Sequence, residues 1–252
     1  MIRISDRLRI VAHMCDKGAV VADIGTDHGY LPIYLVQEGI APSAIAMDLR
    51  KGPLEKAKKH ICDNCLEDRI QTRLSDGLEK LSKNEADIIT ICGMGGRLIA
   101  DIVTKGKDVI TQNTILVVSP QSEVGEFRHF LVSQGFEIEA YERFKQIEPK
   151  WLQEEILQGI EEKDGKYYFI IKCRKSEESV CSEFSETQYQ YGWKLLDSKD
   201  KTLYEYLIKE KETNEGISNS IKKDESNPTV KLRLQQLSQK NNIIMKALSY
   251  YD

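Results

Sequence analysis

Several things are missing from this chain, and each absence excludes something. There is no apolar run of about 18 residues, the length that reads as a membrane-spanning helix, so no membrane span is expected. The first ten residues, MIRISDRLRI, are charged and carry none of the apolar stretch of an export signal. Positive charge is not in excess: 36 Lys and Arg stand against 40 Asp and Glu, for a formal net charge of −4. Nothing global therefore draws the chain to nucleic acid, and such a role needs a local basic face. The C-x-x-C of Cys62 and Cys65 has no second pair to complete a zinc site. It reads as two ordinary thiols, and no metal is expected. With Cys15, Cys92, Cys173 and Cys181 they make six scattered cysteines, the pattern of free thiols in a reducing, cytoplasmic setting.

What is present is 252 residues, 40% of them hydrophobic, enough for one α/β domain with an appendage. Strand-like and helix-like segments alternate over the first 175 residues. Residues 3–15 read as an amphipathic helix with Ile4, Leu8 and Val11 on one face. The short, apolar, β-branched run at 19–24 reads as a buried parallel strand, and 43–47, 69–74, 86–91 and 114–119 read as further strands. Helices are expected at 30–37, 52–64, 95–104 and 122–134, and β-rich stretches at 136–144, 154–160 and 167–173, with a turn at Asp164-Gly165. Such alternation predicts a Rossmann-like α/β fold, a parallel sheet covered on both faces, with ligands at the carboxyl ends of the strands.

The remainder, 176–252, reads as a separate helical appendage. Residues 175–194 are polar and poorly patterned. Heptad-like spacing then joins Leu203, Leu207, Ile217 and Ile221, and after a break at 222–228 joins Val230, Leu234, Leu237, Asn241, Ile244 and Leu248. This predicts an antiparallel coiled-coil hairpin whose second helix starts at Pro228. It serves either for packing, or as an arm for substrate or self-association.

The motif richest in chemistry is VVADIGTDHGYLPIYL, Val20 to Leu35. A strand ends at Asp23-Ile24-Gly25 and a helix begins after Gly29. Gly25 permits the sharp turn, and Gly29 a close approach of ligand to backbone. A pyrophosphate loop follows G-x-G-x-x-G. Counted from Gly25, Asp27 and Tyr30 occupy the next two glycine positions. A carboxylate there repels pyrophosphate but suits S-adenosylmethionine, which has no phosphate and carries a sulfonium and an amino group. Asp48, 23 residues after Gly25, ends the second strand, where it can accept from ribose hydroxyls. Asp76-Gly77 follows the third strand; Asp76 either meets an adenine amino group or caps a turn. Gly93-Met94-Gly95-Gly96 follows the fourth, either as backbone facing the reacting centre or as a tight turn.

Together ISDRL (Ile4–Leu8), VADIGTDHGYLPIYLV (Val21–Val36), ICGMGG (Ile91–Gly96) and DGKYYFII (Asp164–Ile171) resemble the bacterial tRNA (adenine(22)-N1)-methyltransferase family, TrmK. The resemblance covers about residues 1–174, and the helical hairpin matches that family's C-terminal region in placement. It implies methyl transfer from S-adenosylmethionine to N1 of an adenine in tRNA. Under it, Asp27 supports the cationic product or binds the adenine amino group, while His28 and Tyr30 position the base, Tyr30 by stacking. For His28 a purely loop-shaping role stands equally open. Arg3, Arg7 and Arg9 are candidate phosphate contacts; Lys56, Lys58 and Lys59 read better as a solvated helix face. The N/D-P-P-Y/F motif of exocyclic-amine methylation is absent after the fourth strand. Alternatives are a methyltransferase for a protein or small molecule, or a binding module without catalysis.

Overall fold

The computed structural model describes residues 2–140, 145–146, 167–176, 183–222 and 226–252. The expected strand at 154–160, the Asp164-Gly165 turn, most of 142–153 and Cys181 lie outside the described residues.

Five strands, β1 (Val21–Ile24), β2 (Ala44–Asp48), β3 (Ile70–Leu74), β4 (Ile88–Cys92) and β5 (Ile115–Ser119), run parallel. Two more, β6 (Phe136–Ala140) and β9 (Ile171–Lys175), extend the same sheet antiparallel beyond β5. The sheet order is β3-β2-β1-β4-β5-β9-β6, and β7 (Lys145–Gln146) pairs separately with β8 (Tyr167–Tyr168). The expected strand at 167–173 is thus two: the chain leaves β8 at Tyr168, buries Phe169 and Ile170, and enters the main sheet at Ile171.

The helices are α1 (Asp6–Met14), α2 (Tyr30–Gln37), α3 (Lys51–Asp63), α4 (Gly96–Lys105) and α5 (Val124–Ser133). Ser5 caps α1 by accepting from Leu8 N. The central strands β1, β2, β4 and β5 are buried at nearly every position because both faces are covered, whereas the edge strand β3 is largely polar. Their alternation still shows in what each residue meets. Ala22, Ile89, Leu116 and Val118 join a cluster with Ile99, Phe127 and Leu131 of α4 and α5. Val21, Ile88, Ile115 and Val117 join Val11, Leu31 and Leu35 of α1 and α2 on the opposite face.

The tail departs from expectation at its start. Residues 186–197, read as unpatterned, form two short helices, α6 (Glu186–Tyr191) and α7 (Trp193–Asp197). A Ser185/Gln188 capping box starts α6, a signal shorter than any hydrophobic period. Two helices of 21 residues follow, α8 (Lys201–Ile221) and α9 (Pro228–Leu248). Pro228 opens α9 behind an Asn227 cap, as the sequence predicts. The two run antiparallel: Tyr251 Oη donates to Asp200 O at one end, and Lys240 Nζ and Glu210 Oε1 lie 2.7 Å apart further along. The apolar seam is shorter than the heptads suggested. Leu203, Leu207, Leu237, Ile244 and Ala247 are buried, but Ile217 is 36% exposed, because an Asn214–Asn241 hydrogen bond of 3.1 Å occupies the seam before it.

Arg128 locks the helical part to the sheet. The residue is fully buried on α5, and its Nη1 donates to the carbonyls of Tyr189 and Gln190 at 2.9 and 2.7 Å. Its guanidinium also lies 4.8 Å from the Phe169 ring centroid. Arg128→Met keeps the apolar stem but strands two carbonyls. We expect a loss of about 3 kcal/mol in chemical denaturation; a loss below about 0.5 kcal/mol would show that the clamp is incidental.

Candidate active site

The strand order reverses between β1 and β4, which neighbour each other although β1 is followed by β2. A cleft of about 550 Å³ opens there, at the carboxyl ends of β1 to β4. Its floor is Asp23, the third residue of β1. Asp23 is only 6% exposed and pairs in register with Thr90 of β4. Thr90 Oγ1 donates to Asp23 Oδ1 at 2.7 Å. Burial pushes the Asp23 carboxyl up from 3.8 to about 6, against the lowering effects of the hydroxyls of Thr90 and Thr26 and the Arg7 guanidinium. A buried carboxylate held this way is poised for a cation.

Above it the chain turns at Gly25, with φ +75°. A Cβ at this position would stand 2.2 Å from Met94 Cε, so glycine here lets the β4 loop close over the β1 loop. Asp27 follows, its side chain 70% exposed, with Oδ1 3.6 Å from His28 Nε2. His28 itself adopts φ +89°, a left-handed conformation that costs a residue with a side chain about 1–3 kcal/mol. Gly29 takes φ +71°, and its missing side chain admits Ala57 of α3, 3.2 Å from where a Cβ would be.

Asp48 ends β2, buried, with Oδ1 accepting from Arg50 N at 2.8 Å and lying 3.7 Å from Arg50 Nε. Asp76 and Gly77 stand after β3, with Asp76 Oδ2 3.8 Å from Lys105 Nζ. Leu49 and Leu98 are 63% and 51% exposed, yet both line the cleft with Ile102. They give it apolar walls suited to a purine ring.

The cleft therefore gathers Asp23, Gly25, Asp27, Tyr30, Asp48, Asp76, Gly77, Gly93 and Met94 from the residues singled out in the sequence. His28 and Gly29 shape the loop behind it. Among the N-terminal arginines only Arg7 lines it; Arg3 is exposed before α1, and Arg9 is half-buried elsewhere on that helix. Arg7 Nη1 is buried with no hydrogen-bond acceptor among the described residues, and its guanidinium lies 3.5 Å from a notional Cβ on Gly93. Sequence reasoning missed Thr90, although a lone polar residue in the apolar run IITIC was the available signal. It also missed Leu49 and Leu98, for which no motif speaks.

A second cleft, of about 670 Å³, lies between the sheet edge and the helical part, lined by Tyr167, Tyr168, Phe169, Tyr191, Tyr206 and Glu210 among others. It shares Gln121 with the first. Tyr168 also links the two, with Arg7 Cζ 5.4 Å from its ring centroid. No group of His, Cys, Asp and Glu among the described residues could hold a metal ion.

Residues 4–148 match the family model described as a methyltransferase domain. A tRNA (adenine(22)-N(1))-methyltransferase from Bacillus subtilis (strain 168) is 38% identical over 170 residues, 68% of this chain and 64% of that protein. The sequence match thus spans just under two thirds of that relative's length. The crystal structure of the B. subtilis M1A22 tRNA methyltransferase TrmK aligns with a TM-score of 0.79 and 29% identity, over 98% of this chain and 99% of that one. The structure of M. capricolum TrmK in complex with the natural cofactor product S-adenosyl-homocysteine aligns with a TM-score of 0.75 and 30% identity, over 98% of each. On sequence and fold together, the chain belongs to the methyltransferase-domain family and, within it, to the TrmK family of tRNA (adenine(22)-N1)-methyltransferases.

Proposed function

We propose that this chain transfers a methyl group from S-adenosylmethionine to N1 of adenine 22 in tRNA. The observation that carries the reading is the buried Asp23 beneath a loop that has an acid, Asp27, where phosphate-binding loops have glycine. The relatives' named activity agrees with it.

The cleft fits the cofactor group by group. Arg7 Nη1, buried and with no acceptor among the described residues, suits the one anionic group of S-adenosylmethionine, its carboxylate. Arg7 then belongs to the cofactor rather than to tRNA phosphate. Asp23 suits the amino group, Asp48 the ribose hydroxyls, and Asp76 the adenine amino group between Leu49, Leu98 and Ile102. Bound there, the cofactor supplies an electrophilic methyl on a sulfonium; N1 of adenine attacks it through its in-plane lone pair, the S–C bond breaks, and the positive charge passes to the base.

The chain's own residues provide orientation and charge. Asp27 reaches the cleft from the loop and supports the cation that develops on adenine. Tyr30, 38% exposed, presents its ring at the rim. His28 sits beside Asp27 and orients it. Residues 1–175 form the catalytic part in this reading, and 176–252 the appendage that closes the second cleft.

Transfer RNA lacking the modification, incubated with labelled cofactor and digested to nucleosides, should yield label in 1-methyladenosine at position 22. Label on another base, or none, would overturn the assignment. In the same assay Asp27→Ala should lower turnover at least about a hundredfold with cofactor affinity nearly kept; unchanged turnover would reduce Asp27 to a turn residue.

Asp23 also sets a pH dependence. Its raised pKa means the neutral form favours the folded chain. That contribution to stability is present below the ordinary value of 3.8 and is lost as pH rises through about 6. Cofactor binding has the opposite slope, because the cofactor's amino group is still cationic in this window and needs the carboxylate. From pH 5 to 7 the ionised fraction rises about tenfold, and cofactor affinity should rise with it. Asp23→Asn should flatten that profile; an equal slope in the variant would assign it to another group.

A further inference from the structure

Three aromatic rings meet where the β1–α2 loop packs on α3: His28, Tyr30 and His60, of which Tyr30 also lines the cleft. Their centroids are 5.2 Å (His28–Tyr30), 5.6 Å (His28–His60) and 5.3 Å (Tyr30–His60) apart. Their planes lie within 5°, 19° and 15° of parallel. Three rings in a column would hold the outer two about 7 Å apart, twice a contact spacing of about 3.5 Å. No pair here is so far apart, so the rings form a compact patch with a shared orientation.

The patch is held in place by the backbone. His28 takes its left-handed φ of +89°, and His60 Nδ1 lies 2.9 Å from His28 O. Ala57, three residues before His60 on α3, packs against Gly29. The loop and α3 are thus fixed to each other where the rings meet. Lys56 stands one turn before His60, and Lys59 immediately before it, about 100° round the helix, both exposed. Lys58, two residues before His60, faces elsewhere on the helix. The nearby acids are Asp27 on the loop and Asp63 on the following turn of α3.

We propose that His28, Tyr30 and His60 form a stacking platform for an unpaired tRNA base adjoining the target adenosine, with Lys56 and Lys59 on its flanking phosphates. This rests on the RNA-methylating reading above. To reach the cleft the target adenine must leave its stack, and its neighbour loses a stacking partner. An aromatic patch beside the cleft replaces that partner, and it accepts any base because every base has a π-face. His60 is then a positioning residue, 30 positions beyond Tyr30 and invisible to any loop motif.

The test uses a tRNA-derived stem-loop with 2-aminopurine on one or other side of the target adenine. Binding of the full-length wild type should quench that fluorescence on one side; no change on either side would overturn the proposal by itself. His60→Phe should keep the quench. His60→Gln should lose it and raise KM for the RNA about tenfold, with KM for S-adenosylmethionine and the melting temperature unchanged. The Lys56→Ala/Lys59→Ala double variant should keep the quench while reducing the salt dependence of RNA binding by about two charges. Unchanged RNA KM in His60→Gln, or equal losses in kcat and melting temperature for both His60 variants, would make His60 a purely structural residue. Wild type that methylates no RNA would instead overturn the function proposed for the whole cleft.

Discussion

The hydrogen bond between Thr90 and Asp23 is the interaction on which the site depends. It joins β4 to β1 where the strand order reverses and a crevice opens at the carboxyl edge of the sheet. A carboxylate buried this deeply is expensive to ionise, and its pKa of about 6 records that cost. The rest of the cleft is arranged around it. Gly25 turns sharply enough to bring Met94 close, Arg7 supplies a balancing positive charge, and Asp48 stands at the end of the neighbouring strand. A pyrophosphate on this loop would meet the carboxylates of Asp23 and Asp27. A cationic cofactor meets partners.

The helical part is tied to this centre by few but buried links. Arg128 reaches from α5 to the carbonyls of α6, and Phe169 carries the apolar cluster of Tyr191, Leu203, Leu207 and Ile244 up to the sheet edge. The two clefts consequently share a wall, with Gln121 and the Arg7–Tyr168 contact between them. A substrate held in the aromatic cleft would be adjacent to the cofactor without any domain movement.

Much of this was legible in the sequence for physical reasons. Buried parallel strands must be apolar and short, so β1, β2, β4 and β5 were readable to within a residue or two. The spacing of Gly25, Asp27 and Asp48 is local and survives in the fold unchanged. What was not legible depends on tertiary contact. Thr90 matters only because β4 lies beside β1 rather than β2. Leu49 and Leu98 are exposed and look like ordinary surface residues until the cleft is seen. Helices α6 and α7 are too short for a hydrophobic period to show. The seam of the hairpin was over-read, because the heptad position between Leu207 and Ile221 is the polar Asn214, which bonds Asn241 in place of an apolar contact. Arg7 was read as an RNA contact because its helix precedes the cofactor loop; its burial beside Gly93 supports the cofactor role proposed for it.

The central claim is that an acidic, partly buried cleft selects a cationic cofactor without phosphate. Calorimetric titration of the full chain with S-adenosylmethionine, NAD and ATP at pH 7 tests it most directly. The account predicts saturable binding of S-adenosylmethionine, with NAD and ATP at least about a hundredfold weaker. NAD or ATP binding as tightly as S-adenosylmethionine, or more tightly, would contradict it.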